Sequence, residues 1–245
     1  LGPTRLSLAD IGRAIRNGRA LRRALPGVSL AYAAVFTLFG LVLLSAIAAF
    51  GLSPMALPFA GGFMLVGPVL LTGYFEIARL QEQGVSPSLG DAFAAFRRAP
   101  TALWMLAVVC AFLFLIWITD AGILYSFTMG GIPVSYDIAW LRELVAFELW
   151  GSLMGSVLAY MIFAVSAFSV PLIYEDRCGL VTAVHTSVRT VLGNFLVCLC
   201  WGLVLGTVIM ASILLLPLLL VTLPVMSYAS FFLYRTTCPP QQAEN

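Results

Sequence analysis

Residues 28–50 read VSLAYAAVFTLFGLVLLSAIAAF, a run without a single charge. A helix that crosses a bilayer needs about 20 consecutive, mostly apolar residues, and this stretch supplies them. The run is preceded by Arg5, Arg13, Arg16, Arg19, Arg22 and Arg23. Similar runs recur down the chain. Spans are predicted at Val28–Phe50, Met55–Ile77, Thr101–Phe127, Leu149–Tyr174, Phe195–Leu215 and Leu218–Tyr234. The last two are short and share a turn at Pro217, which leaves a re-entrant hairpin open as an alternative. The expected fold is an all-α polytopic membrane protein with six transmembrane helices arranged as three hairpins.

Composition agrees. Of 245 residues 61% are hydrophobic and 10% charged, far below the roughly 25% charged of soluble domains. A net charge of +2 gives no basic field for nucleic acid. All 13 basic residues are arginine. With six spans, twelve arginines fall on one side and Arg142 alone on the other, so the positive-inside rule places both termini in the cytoplasm. The long basic start ahead of a full-length span is not expected to be a cleaved signal peptide.

The whole chain, 1–245, is expected to form one transmembrane domain with a threefold internal pattern. A basic amphipathic segment, 1–26, precedes hairpin 28–77. An interfacial helix at 86–99 precedes hairpin 101–174, which carries an outer insert at 128–147. Another at 179–193 precedes hairpin 195–234, followed by a tail at 235–245. In the first segment Leu8, Ile11, Ile15 and Leu25 fall on or near one helical face. In the second, Ser88 and Asp91 form a capping box before Leu89, Ala92, Phe93 and Phe96. In the third, Val181, Val184, Val188 and Val191 line up, and Gly193-Asn194 ends the helix. Leu21-Arg22-Arg23-Ala24 echoes Phe96-Arg97-Arg98-Ala99, and proline follows each closely (Pro26, Pro100). Every even-numbered span carries a proline and then a tyrosine: Pro68 with Tyr74, Pro171 with Tyr174, Pro224 with Tyr228. In the outer insert, Ser135 is expected to cap a short membrane-surface helix with Ile138, Leu141 and Leu144 toward lipid and Tyr136 and Trp140 at the interface.

Chemistry is sparse. Ionisable groups at membrane depth are costly and usually functional, and none lies near a span centre. Glu76 and Glu175 sit where spans end and are expected to pair with Arg97, Arg98 or Arg189, stapling hairpins to interfacial helices. A single histidine, His185, cannot supply a haem pair or a copper set. The five cysteines contain no C-x-x-C pair. No catalytic motif, metal set or cofactor site is legible, and the chain is expected not to be an enzyme. Gly151-x-x-x-Gly155 and Gly202-x-x-x-Gly206 allow close helix approach, either inside the bundle or against a partner's helix. Pro68, Pro171 and Pro224 are candidate kinks.

The blocks Gly62-Phe63-Met64-Leu65-Val66-Gly67-Pro68, Tyr74-Phe75-Glu76 and Ser88-Leu89-Gly90-Asp91-Ala92 resemble a family of uncharacterised bacterial integral membrane proteins, domain of unknown function 2189. Phe168-Ser169-Val170-Pro171-Leu172, Asp176 and Leu180-Val181-Thr182-Ala183 extend the resemblance. It implies the bacterial inner membrane. Some members carry a cytochrome c oxidase label, which implies at most an accessory role here. Two functions follow as expectations: a non-catalytic accessory or scaffold subunit of a larger inner-membrane complex, respiratory or otherwise energy-transducing, or a small-solute or lipid transporter built from three hairpins. Expected partners are membrane lipids and other integral membrane subunits.

Overall fold

A computed structural model describes residues 5–60, 72–130, 135 and 137–239. Among these residues the chain is entirely helical. The elements are α1 (Leu8–Ala24), α2 (Pro26–Ala49), α3 (Thr72–Glu82), α4 (Leu89–Arg97), α5 (Thr101–Thr128), α6 (Ile138–Ser166), α7 (Ser169–Tyr174), α8 (Leu180–Gly193), α9 (Phe195–Leu214) and α10 (Leu219–Thr237). Five stretches are long and apolar enough to cross a membrane: Pro26–Ala49, Thr101–Thr128, Ile138–Tyr174, Phe195–Leu214 and Leu216–Thr237. Residues 61–71 of the predicted second span, Pro68 among them, lie outside the described residues.

Helix α10 is the centre of the bundle. Leu223 to Ala229, Phe231, Leu233 and Tyr234 are all buried, whereas α2, α5, α6 and α9 turn Phe39, Val42, Val108, Phe112, Leu153, Val157, Leu196 and Leu203 outward. That apolar belt suits hydrocarbon and would be untenable in water. α2 runs antiparallel to α10: Ser29 meets the Tyr228 hydroxyl at 2.8 Å, and Gly40 lies beside Leu216. α3 runs parallel to α10, with Tyr74 against Tyr228, Phe75 against Phe231 and Glu82 on Arg235. Thus α10 continues about 13 Å past the level of Ser29, near the start of α2. The ends of α3 and α10 form, with the amphipathic helices, a layer beyond the apolar belt at the arginine-rich end.

All three predicted amphipathic segments are helices, but the faces they bury are only partly the predicted ones: Ile11, Ala92 and Val191 are buried together with small or polar residues such as Ala14, Gly18, Ala95, Ala183 and Ser187, whereas Leu8, Leu89, Phe93 and Val181 are exposed. Among the described residues α1 makes the most extensive helix pairing, along α10. Gly18 permits it: a Cβ there would stand 2.6 Å from the Val225 carbonyl oxygen. α4 packs on α3, and α8 on α6 and α7. The three amphipathic helices are thus seated on α3, on α6 with α7, and, for α1, on α10. The Ser88–Asp91 capping box is present, and α8 stops at Gly193 with Asn194 as its cap.

The break between α6 and α7 has a chemical cause. The Ser187 hydroxyl, on α8, donates to the Ala164 carbonyl at 2.7 Å and accepts from the Phe168 amide at 3.1 Å. It replaces the direct bond that would continue the helix, and Pro171 offers no amide to the Ala167 carbonyl. At the other end of α6 the structure departs from expectation. Asp137, not Ser135, caps the helix by accepting from the Trp140 amide at 2.8 Å. From Ile138 the helix runs unbroken to Ser166, so residues 138–147 are its first turns, not a separate surface helix. Trp140 is buried with Met55, Ala121, Met129 and Phe147, and Tyr136 lies outside the described residues.

Replacing Ser187 with Ala leaves a buried amide and carbonyl unpaired, so the variant should lose about 1–3 kcal/mol, read as earlier thermal unfolding in detergent. A second outcome concerns α1. The Asp10 carboxylate accepts from the Ser7 hydroxyl and amide and pairs with Arg13, which pulls its pKa down to about 2. Because the folded value lies below the usual one near 3.9, this cap contributes fully above about pH 4 and is lost as pH falls through about 2. Hydrogen exchange at the start of α1 should rise across that window, and Asp10→Asn should remove the pH dependence.

Candidate functional site: a charged bowl where three helix ends meet

The ends of α3, α7 and α10 converge at the arginine-rich end around a polar cavity of about 450 Å³. Glu76, Arg79, Gln83, Arg98, Tyr174, Glu175, Asp176, Arg177 and Arg235 line it. Two carboxylates organise it. Glu76 is only 1% exposed and receives a bidentate fork from Arg79, with both contacts at 2.7 Å. The Tyr174 hydroxyl donates to it at 3.0 Å, and Arg98 approaches to 4.0 Å. The fork holds the Arg79 guanidinium above its ordinary pKa, against the opposing effect of burial. A buried carboxylate is tolerable only when so satisfied.

Glu175 is the second centre. Tyr234 donates to it at 2.7 Å and Arg235 approaches to 2.6 Å. Arg235 also reaches Glu82 at 2.9 Å, so one guanidinium ties α10 to both α3 and the α7 end. Its carbon lies 4.7 Å from the centre of the Phe231 ring, which shields the pair from water and adds a cation–π contact. Beyond α7, Asp176 takes a left-handed conformation at φ 53. The amides of Asp176 and Arg177 bond back to Ile173 and Leu172, which is a Schellman-type helix end. That turn delivers Arg177 to the Tyr234 hydroxyl and to the carbonyls of Cys238 and Pro239.

Beneath the bowl lies a tyrosine cluster. Tyr32 and Tyr74 meet edge to face at 4.9 Å, and Tyr74 and Tyr228 at 5.3 Å. Tyr74 donates to the Ser29 carbonyl. Gly73 makes room for Tyr32: a Cβ there would stand 2.5 Å from its hydroxyl. Two of the three proline-linked tyrosines, Tyr74 and Tyr228, therefore touch each other, and the third, Tyr174, serves Glu76.

Of the ion-pair groups expected from sequence, the structure joins Glu76 to Arg98, across from α3 to the end of α4. Glu175 instead engages Arg235. Arg97 and Arg189 are exposed, and neither forms an ion pair among the described residues. Pro171 and Pro224 are buried. Gly155 is filled by the Trp117 ring of α5, and Gly151 faces Leu124, so both serve packing within the chain. Gly202 has open space above it, and Gly206 is half-buried. The groups that sequence reasoning passed over are Arg79, Glu82, Arg177, Tyr234 and Arg235. One signal was available: Arg79 follows Pro68 by eleven positions, as Arg235 follows Pro224.

Residues 56–175 match the model of a family described as predicted integral membrane protein, domain of unknown function 2189. Nothing matches among curated proteins or among solved structures.

Glu76 and its outlying partner Arg98 should behave very differently on removal. Glu76→Gln strips the charge that Arg79 neutralises and should cost about 3–5 kcal/mol. Arg98, 67% exposed and at the limit of contact, should cost less than about 1 kcal/mol as Arg98→Ala. Unfolding midpoints of the two variants in one detergent check this.

Proposed function

We propose that this chain, whose residues 56–175 belong to the domain of unknown function 2189 family of integral membrane proteins, is a non-catalytic scaffold subunit of a larger bacterial inner-membrane complex. Its six spans form three hairpins, both termini are cytoplasmic, and the arginine-rich layer is the cytoplasmic platform. One observation carries the reading. Asp10, Glu76, Glu82, Asp91 and Glu175 are all engaged within the chain. Arg16, Arg19, Arg23, Arg97 and Arg189 are exposed and, among the described residues, without acidic partners. Apart from the exposed Asp176, the carboxylates of the layer are held within the chain, and its outward charge is mainly positive. Such a surface fits the acidic cytoplasmic face of a partner subunit, and a rigid, internally stapled layer suits holding rather than turnover. An energy-transducing complex, for example one associated with a cytochrome oxidase, is the expected host.

A second reading, a small-solute or lipid transporter, is favoured by the bowl itself, because it opens where the helices carrying Pro171 and Pro224 converge. A flux assay in liposomes that depends on Gln83 and Arg98 would support it.

The tagged protein extracted from its membrane in mild detergent should emerge in a stoichiometric assembly with other membrane subunits by mass spectrometry. Arg16→Gln, Arg19→Gln and Arg23→Gln together should release it while its unfolding midpoint stays in place. A lone 26.4 kDa species with only bound lipid or solute would contradict the scaffold reading.

A further inference from the structure

We propose that the end of the bundle opposite the arginine-rich layer carries a binding site for an amphiphilic organic cation, seated between α5 and α6. These helices run antiparallel, with Trp117 over Gly155, Leu124 beside Gly151 and Tyr125 against Phe147. Trp117 is fixed by its indole N–H, which donates to the Pro58 carbonyl at 2.8 Å. The fixed ring and Gly151 divide two grooves of about 330 and 210 Å³. The first runs from Asp120 to Met161, and the second from Glu148 to Ala159 and Met210. Both are otherwise almost wholly apolar, and neither is lined by an arginine.

Depth decides what fits. Asp120 lies nineteen residues into α5, about 28 Å along its axis, and Glu148, next to Phe147, is level with Tyr125, five residues or about 7.5 Å further on. The hydrocarbon core is about 30 Å thick. Each carboxylate therefore stands at the far headgroup boundary, with an apolar trough running from it back into the bilayer. Among the described residues neither carboxylate forms an ion pair. Arg142, on the same helix, is six positions from Glu148, which turns it to a different face. A carboxylate at this boundary, with no basic partner among the described residues, attracts a cation whose apolar body the trough can bury. The complementary molecule has one positive, weakly hydrated head and an apolar body, and it enters sideways from the membrane. An aromatic wall beside a carboxylate favours an organic cation over a hydrated ion.

The test uses the full chain in an uncharged detergent and radiolabelled tetraphenylphosphonium in equilibrium dialysis. Saturable binding is expected, weakened about tenfold by Glu148→Gln and lost in Asp120→Asn/Glu148→Gln. Gly151→Val, which fills the junction of the grooves, should weaken binding too. Arg16→Gln, at the opposite end, should leave binding unchanged. The gel-filtration profile of each variant is read beside its binding, and the single variants decide the matter if the double one does not fold. Unchanged binding in well-folded Glu148→Gln and Asp120→Asn would overturn the proposal. So would equal displacement of the probe by uncharged triphenylphosphine oxide or by a trace of zwitterionic phospholipid, since either means that the grooves are ordinary lipid seats.

Discussion

A carboxylate withdrawn from water must be neutralised where it stands, and this molecule withdraws two at the point where its helix ends meet. Glu76 on α3 and Glu175 beyond α7 set the positions of Arg79, Tyr174, Tyr234 and Arg235. Because Arg235 also holds Glu82, the ends of helices far apart in sequence are fixed with respect to one another. The tyrosine cluster below and the amphipathic helices around it then pack against a defined frame. Attraction between apolar spans gives little such specificity in lipid, where one hydrocarbon surface is as good as another.

The seating of α1, α4 and α8 follows from the same frame. α4 and α8 seat on helices that come before them in the chain, and α1 seats on α10, which it approaches closely because Gly18 offers no Cβ. A basic amphipathic helix that could have lain on the lipid surface is thereby folded into the protein, and only its charged face is left free. The scaffold reading rests on that division of labour. The cation site at the opposite end is independent of it.

Much of the architecture is legible in the sequence because it depends on local rules. Run length marks the spans, the Ser88–Asp91 spacing marks the start of α4, and Gly193-Asn194 marks the end of α8. The first turns of α6 were misread because Ser135 and Asp137 are both competent caps and only tertiary placement chooses between them. The staple partners were half legible. That Glu76 and Glu175 need arginines follows from their position, but which arginine answers depends on how α10 lies between α3 and α7. Glu76 finds Arg79 one turn away in its own helix, a pairing that spacing allows. The Gly151/Gly155 face shows the limit of a motif. Small residues announce close approach but not what approaches, and at Gly155 the group is the Trp117 ring of α5.

The most direct test of the frame is a double-mutant cycle on Glu175 and Arg235, with Glu175→Gln, Arg235→Gln and the pair compared by unfolding in detergent. If these two groups tie the helix ends together, each single change should destabilise by several kcal/mol, and the double change by clearly less than their sum. The coupling energy should then be about 1–3 kcal/mol. Additive effects within about 0.5 kcal/mol would mean that the charged bowl does not hold the bundle together.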